Sequence, residues 1–220
     1  MSDSTPPQGT RLRPHNDLPP ERARSVLPGV ALFGFDDFED SVELSTSFAL
    51  RAAPLEHLLD YPNAYDFVLV RRATAHAAKE IAAALRVLGR RGPIVLISCW
   101  EDDASQEFAR RAGASECLAH PTDPLELAAT LRSLAVGSTP PESAPDAPGL
   151  LTASERKLFK KLMSSPSRFI AYRDAPVAVN TLHQAVKGMR PKLGAYAFSI
   201  ENVRADGFRL LYEGAASRSP

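Results

Sequence analysis

The sequence predicts a parallel α/β domain followed by a small α+β domain. Over residues 29–135, short apolar runs alternate with helical segments, which is the pattern of buried parallel strands joined by helices. A proline-rich stretch then ends this pattern, and residues 151–213 contain two helical segments followed by a strand-turn-strand unit. The chain has 220 residues, of which 44% are hydrophobic, so it is long enough to bury a core in each domain.

Residues 1–28 lack an apolar segment and contain several prolines among Ser, Arg and Gln. This composition predicts a disordered arm and is unlike a secretory signal or a membrane anchor. The arginines of the arm, at positions 11, 13, 22 and 24, either contact DNA or belong to a solvated tail. We also expect residues 214–220 to be disordered.

Four apolar runs predict the strands of the α/β domain, at residues 30–35, 67–70, 94–97 and, more weakly, 117–119, and residues 47–50 are a further candidate. The helical segments between them cover residues 54–59, 73–88, 103–112 and 124–134. This alternation predicts a parallel sheet with right-handed crossovers. No glycine-rich phosphate loop opens any of the helices, so a nucleotide-binding fold is not expected.

The order and spacing of these segments resemble the receiver domain of response regulators, a flavodoxin-like sheet with its site at the carboxyl ends of the strands. By this resemblance, Asp36 and Asp37 match the acidic pair that binds magnesium, and Ser98 matches the family's hydroxyl residue. Arg71 stands where the family has its phosphate-accepting aspartate, and His120 stands where it has a lysine. A guanidinium cannot accept a phosphoryl group, so the resemblance implies a degenerate receiver that works without phosphorylation.

Three interpretations of Arg71 stay open at this point. In the first, it is a surface arginine that faces solvent. In the second, it forms a bidentate pair with Asp36 or Asp37 and so balances the charges that magnesium and phosphate otherwise balance. In the third, His120 and the two aspartates bind a metal ion, although such a combination is common by chance. We expect no metal and no cofactor.

The resembled family dimerises through the fourth and fifth receiver helices and the strand between them. Five charged residues occupy these segments here, namely Arg110, Arg111, Glu116, Glu126 and Arg132. A patch with charges of both signs suits a two-fold contact in which it meets its own copy. We therefore expect a homodimer formed by the receiver, with a plainly solvated surface as the alternative.

Cys99 and Cys117 are the only cysteines of the sequence. Two are too few for a disulfide framework or a zinc site, so we expect a cytoplasmic protein with reduced thiols. We expect no membrane partner.

Residues 136–150 form the predicted linker, because residues 137–149 contain four prolines and no large apolar residue. The charge differs on the two sides of it. Of the 26 Lys and Arg and the 26 Asp and Glu, 12 basic but only 5 acidic residues follow Leu150, which leaves 14 basic and 21 acidic in residues 1–150. A basic C-terminal domain is expected of a protein that binds DNA phosphates.

In the C-terminal part, Thr152 and Glu155 form a capping box at the start of a predicted helix over residues 152–163. Asn180 is the predicted cap of a second helix, whose apolar stripe consists of Leu182, Val186, Met189 and Leu193. Pro191 is expected to kink or end that helix near Arg190. Residues 197–203 and 208–211 then form a predicted hairpin.

These segments resemble the winged-helix effector domain of the OmpR/PhoB response regulators, most specifically in the wing motif at residues 203–210. There is one departure. The family has a further helix and a loop that contacts RNA polymerase between its first and recognition helices, but Phe169 and Asn180 stand too close in sequence for both. The middle helix is therefore expected to be shortened or lost.

The polar face of the second helix is expected to enter the major groove of double-stranded DNA with Thr181, His183, Gln184, Lys187 and Arg190. Arg204, at the tip of the wing, is expected in the minor groove, with Asn202 beside it. The leading function is a sequence-specific DNA-binding transcriptional regulator, with RNA polymerase or another regulator protein as a candidate partner. The alternative is an adaptor whose two domains bind other proteins. No enzyme is expected, since the histidines lack Ser or Cys partners at a recognisable spacing.

Overall fold

The computed structural model of the protein describes residues 27–35, 42–71, 75–98, 102–137, 150–176, 178–204 and 206–213. Its N-terminal part contains a parallel sheet whose strands lie in the order β2-β1-β3-β4-β5. The strands are β1 (Gly29–Phe33), β2 (Ala49–Ala52), β3 (Phe67–Arg71), β4 (Ile94–Ser98) and β5 (Glu116–Ala119). This is the flavodoxin-like strand order, so the predicted receiver-like fold is confirmed for this part.

Helices cover both faces of the sheet. They are α1 (Val42–Ser47), α2 (Leu55–Asp60), α3 (Ala75–Val87), α4 (Asp103–Arg111) and α5 (Pro124–Gly137). Successive strand residues point to opposite faces, so Leu32 and Leu69 pack with Leu44 and Leu131, whereas their neighbours pack with the side chains of α2, α3 and α4. Each such buried Leu contributes roughly 1.5–3 kcal/mol by leaving water.

Two predicted boundaries were wrong. The strand expected at residues 47–50 begins at Ala49, because Ser47 ends α1 and Phe48 leaves the strand to pack edge-on against Phe67, with ring centroids 5.9 Å apart. Helix α5 continues to Gly137, beyond the predicted domain end at residue 135.

The C-terminal part consists of α6 (Ala153–Ser164), β6 (Phe169–Ala171), α7 (Val179–Leu193), β7 (Phe198–Val203) and β8 (Gly207–Tyr212). Two 3-10 turns, Tyr172–Asp174 and Gly194–Tyr196, precede and follow α7. The strands form an antiparallel sheet in the order β6-β8-β7, so the predicted hairpin is present and β6 is an addition to it. The close approach of β6 requires a glycine at position 207, where a Cβ atom would overlap the carbonyl oxygen of Ile170.

The predicted capping box of α6 is confirmed. The Thr152 hydroxyl accepts a hydrogen bond from the Glu155 backbone at 3.4 Å, and the Glu155 carboxylate accepts one from the Thr152 backbone at 2.6 Å. Glu155 also accepts a hydrogen bond from Lys192 of α7 at 2.6 Å, and it occupies the space that Gly188 leaves open. Burial alone would raise the pKa of Glu155, but the hydrogen bonds from Lys192 and Thr152 outweigh it and hold this pKa below its ordinary value.

Two predictions about α7 were wrong. Its N-cap is Ala178 without a side-chain hydrogen bond, so Asn180 lies inside the first turn. Pro191 lies inside the helix, which runs on to Leu193. Pro191 removes one backbone hydrogen bond within the last turn, and the complete burial of Met189 and Leu193 outweighs that loss.

The N-terminal and C-terminal parts share a hydrophobic core. Leu59 of α2 and Val87 of α3 belong to the same buried cluster as Leu158, Phe159 and Leu162 of α6. The proline-rich segment between the parts, at residues 138–149, lies outside the described residues. The predicted pair of domains therefore packs as one body, which the sequence did not indicate.

Among the described residues, no helix combines the length and the apolar character needed to cross a bilayer.

Candidate nucleic-acid interface

Helix α7 divides into a buried face and an exposed face, as its sequence predicted. Leu182, Val186, Met189 and Leu193 are buried in the core shared with α6. The polar residues of the opposite face are exposed, and they are Thr181, His183, Gln184, Lys187 and Arg190. Amide, imidazole and guanidinium groups are donors or acceptors suited to the edges of bases, so this face has the chemistry of a reading surface.

An aromatic group stands at the start of this face. The ring of His183 stacks on Tyr172 with centroids 5.5 Å apart and an interplanar angle of 28°. Phe208 of β8 meets both rings edge-on, at 5.5 Å from Tyr172 and 5.3 Å from His183. His183 is therefore held in a defined orientation although it is exposed to solvent.

Arg190 and Asn202, two of the residues predicted to contact DNA, also form hydrogen bonds within the C-terminal part. Arg190 donates from its guanidinium to the carbonyl of Ile200 on β7 at 3.2 Å. A guanidinium carries five N–H donors, so this bond orients Arg190 and leaves donors for a ligand. Asn202, on the exposed side of β7, accepts a hydrogen bond from the Tyr172 hydroxyl at 3.3 Å.

Arg204 is exposed in the turn between β7 and β8. The Asp206 N–H donates to the Val203 carbonyl at 3.0 Å and closes this turn, whose residue 205 lies outside the description. Glu201 on β7, whose carboxylate could pair with Arg204, instead lies 4.0 Å from Arg209. Arg204 thus projects from a hairpin in which the charges of the neighbouring strands, Glu201 and Arg209, pair with each other.

Several other cations of the C-terminal part are neutralised away from the exposed face of α7. Lys192 pairs with Glu155, Lys160 pairs with Asp60, and Arg168 pairs with Glu80. Lys187, Arg190 and Arg204 on α7 and the wing are exposed and available to a phosphate backbone, and so are Lys157 and Lys161 on α6.

The predicted receiver pocket is described only in part. Arg71 ends β3, and its guanidinium donates to His120 Nε2 at 2.8 Å and lies 5.7 Å from the ring centroid of Phe35. Because a guanidinium can only donate, Nε2 of His120 is the acceptor in this contact. Ser98 ends β4, while Asp36 and Asp37 lie outside the described residues.

These contacts bear on the three interpretations of Arg71. The side chain is half-buried and bonded to His120, so it does not simply face solvent. A pair with Asp36 or Asp37 stays a prediction. Within the described ranges, no three His, Cys, Asp or Glu side chains converge as metal ligands would.

The five residues of the predicted dimer patch do not all lie together. Arg110 lies 3.8 Å from Glu116, and Arg111 lies 3.0 Å from Glu107 within α4. Glu126 is exposed in the first turn of α5. Arg132 donates instead to the Ser47 hydroxyl at 3.0 Å and so points toward α1, away from α4 and β5.

Cys117 is a free thiol in β5, and burial raises its pKa to about 11. A thiol with this pKa stays protonated and unreactive near neutral pH. Cys99 lies outside the described residues.

Sequence reasoning missed Tyr172. It is the only aromatic residue between β6 and α7, and that isolation, in a segment too short for the expected helix, was the available signal. Among the described residues of the segment, which omit residue 177, the helical structure is the 3-10 turn Tyr172–Asp174, in agreement with a middle helix that is shortened or lost.

Comparisons with known proteins add distant structural matches. No protein-family model and no curated protein matches the chain. The pilus assembly protein CpaE from Caulobacter crescentus CB15 matches with 19% identity over 49% of this chain and 98% of its own, at a TM-score of 0.39. A mutant of RitR matches with 16% identity over 84% and 99% of the two chains, also at a TM-score of 0.39.

A third match is a structure described as a novel family of redox sensors in the streptococci that evolved from two-component response regulators. It has 15% identity over 83% of this chain and 99% of its own, at a TM-score of 0.38. At these values the matches carry no argument about function. The receiver-like fold of the N-terminal part therefore stands on its own strand order.

Proposed function

We propose that the protein is a DNA-binding transcriptional regulator whose receiver-like part works without phosphotransfer. The observation that carries this proposal is the exposed polar face of α7 beside the exposed wing residue Arg204. A helix whose one face is buried and whose other face offers base-reading groups is the arrangement that enters a major groove.

The C-terminal part is best interpreted as a winged-helix domain. Helix α6 packs behind α7, and the β7–β8 hairpin extends beside it as the wing. With α7 in the major groove, Arg204 is on a projection suited to the adjacent minor groove, where the negative potential attracts a cation.

The receiver-like part is assigned a structural and regulatory role. The acceptor position carries Arg71, whose guanidinium is engaged with His120. A signal that reaches this part must therefore act through protein contacts or a ligand instead of an aspartyl phosphate. Its α4, β5 and α5 surface is the proposed homodimer contact.

Titration of the full chain with a random-sequence duplex at several salt concentrations tests the proposal. The affinity should fall linearly with salt on logarithmic axes, because bound phosphates release counterions. Lys187→Gln should flatten this dependence by about one contact. Arg91→Gln, an exposed arginine of the N-terminal part, is the matched control and should leave the slope unchanged. A wild-type protein that does not bind at low salt would contradict the proposal.

A second candidate function is that of an adaptor that binds other proteins. The shortened connection between α6 and α7 favours it, since the usual positioning helix is reduced to the turn Tyr172–Asp174. Binding that is insensitive to salt, or absent with every duplex, would favour the adaptor.

A further inference from the structure

Tyr172 lies where the expected middle helix is missing. In helix-turn-helix proteins the first helix crosses the DNA backbone and supports the recognition helix. Here the chain leaves β6, makes the 3-10 turn Tyr172–Asp174, and reaches α7 within a few residues. A domain built in this way needs another connection between its reading helix and its wing.

Tyr172 makes that connection with three different groups. Its ring stacks on His183 of α7 at 5.5 Å. Its hydroxyl donates to Asn202 of β7 at 3.3 Å. Its backbone N–H donates to the carbonyl of Asp206, in the turn of the wing, at 2.9 Å. One residue therefore stacks on the reading helix and forms hydrogen bonds to a wing strand and to the wing turn.

The position of Tyr172 suits orientation better than core stability. The residue is half-buried, whereas Phe208, which meets it edge-on at 5.5 Å, is 2% exposed. The buried Phe208 ring thus packs against Tyr172 and His183, and these two side chains lie at the border with solvent.

We propose that Tyr172 is a positioning residue that fixes α7 and the wing relative to each other so that both engage the same duplex. This inference rests on the proposed DNA-binding function. Tyr172 acts through His183, Asn202 and the wing turn, and does not itself need to contact DNA.

The first test compares Tyr172→Ala with Tyr172→Phe in the full chain, using a duplex selected from a random pool by the wild-type protein. Tyr172→Ala loses both the ring contact and the hydroxyl bond, so binding should weaken about fivefold. Tyr172→Phe keeps the ring and should weaken binding about twofold. Tyr61→Ala, an exposed tyrosine at the end of α2, is the control and should bind like the wild type.

The second test separates positioning from a merely structural role. In the wild-type background, Arg204→Ala should lower the salt slope by about one phosphate contact. In the Tyr172→Ala background, the same change should alter the slope little, because the wing is no longer held against the duplex. Strictly additive effects of the two substitutions would overturn the inference. If Tyr172→Ala does not fold, Tyr172→Phe combined with Asn202→Ala carries the same test, with coupling expected between them.

A third measurement does not depend on DNA. Hydrogen exchange of residues 198–212 should be faster in Tyr172→Ala than in the wild type, with Tyr172→Phe between them. Equal exchange in all three proteins would overturn the inference. If the wild-type protein fails to bind any duplex, the proposed function fails, and the exchange experiment still decides whether Tyr172 orders the wing.

Discussion

Arg168 lies against Glu80, with Nε 3.2 Å from Oε1, and so joins the loop before β6 to helix α3 of the receiver-like part. The two side chains are only 25% and 14% exposed. A second pair, Lys160 with Asp60 at 2.8 Å, lies at the α6 and α2 side of the same contact. Together with the shared apolar cluster, these pairs make the two parts of the chain one packed unit.

The first prediction concerns the stability of this contact. Glu80→Gln should lower the free energy of unfolding by about 1–2 kcal/mol, between the values of exposed and buried pairs, because Arg168 loses its counter-charge. Arg168→Gly completes a double-mutant cycle. Glycine is the suitable replacement because Arg168 has a φ of 53°, a left-handed conformation that strains other side chains. Urea unfolding measures the cycle, and a coupling energy near zero would contradict the pairing.

The parallel sheet was predictable from sequence, whereas the contact between the receiver-like part and the C-terminal part was not. Strands β1, β3 and β4 are built on continuous apolar runs with a local signature, but Lys160 and Asp60 are 100 positions apart and look like ordinary surface charges. The burial of Arg90 was likewise not predictable from sequence, where it looks like a surface charge. It is 3% exposed because its guanidinium donates to four backbone carbonyls, at Pro62, Tyr65, Asp66 and Pro93.

For the candidate site, the exposed residues of α7 and the wing followed from the helical period and the turn motif. Tyr172 could not be assigned in this way. Its proposed role depends on three groups that the fold brings together from residues 183, 202 and 206. The prediction that Pro191 kinks or ends α7 was wrong for a related reason. Tertiary packing of Met189 and Leu193 outweighs the local helix-breaking preference of proline.

The second prediction is that the protein does not take phosphate from a small-molecule donor. Arg71 ends β3 in place of a carboxylate, and its guanidinium donates to His120. Incubation with acetyl phosphate and magnesium should therefore leave the intact mass unchanged, in parallel with a phosphorylatable receiver as positive control. A phosphoryl adduct on the wild-type chain would disprove the assignment.

The third prediction concerns the reading face of α7. Replacing Gln184 and Lys187 together by Ala should weaken specific binding at least tenfold, on the order of 1.4 kcal/mol, because an amide and a cation leave the groove. Neither side chain is buried, so the unfolding free energy should stay within about 0.5 kcal/mol of the wild type. Unchanged affinity in the double variant would show that this face does not read DNA.

The fourth prediction is dimerisation through the α4, β5 and α5 surface. The test requires the full chain, because a fragment that ends after α5 would expose Leu59 and Val87, which are buried against the C-terminal part. Light scattering at high micromolar concentration should give a dimer, and Arg110→Glu should shift it toward the monomer. Arg132→Glu is the control, since Arg132 points toward α1. A monomeric wild type, or equal effects of both variants, would exclude this surface.

The last prediction concerns Arg204. Its side chain is exposed at the tip of the wing, and Glu201 pairs with Arg209. A cation inserted in a narrow minor groove gains from the negative potential there, so Arg204 should add affinity and a preference for A·T-rich shape without reading bases. Arg204→Ala should weaken binding and reduce the salt slope by about one phosphate contact. Arg209→Ala removes a cation from the neighbouring strand, where it already has a carboxylate partner, and should change the slope less. Circular dichroism should be the same for all three proteins. If the slope of Arg204→Ala equals that of the wild type while the fold is intact, the wing does not touch DNA and the reading helix must bind alone.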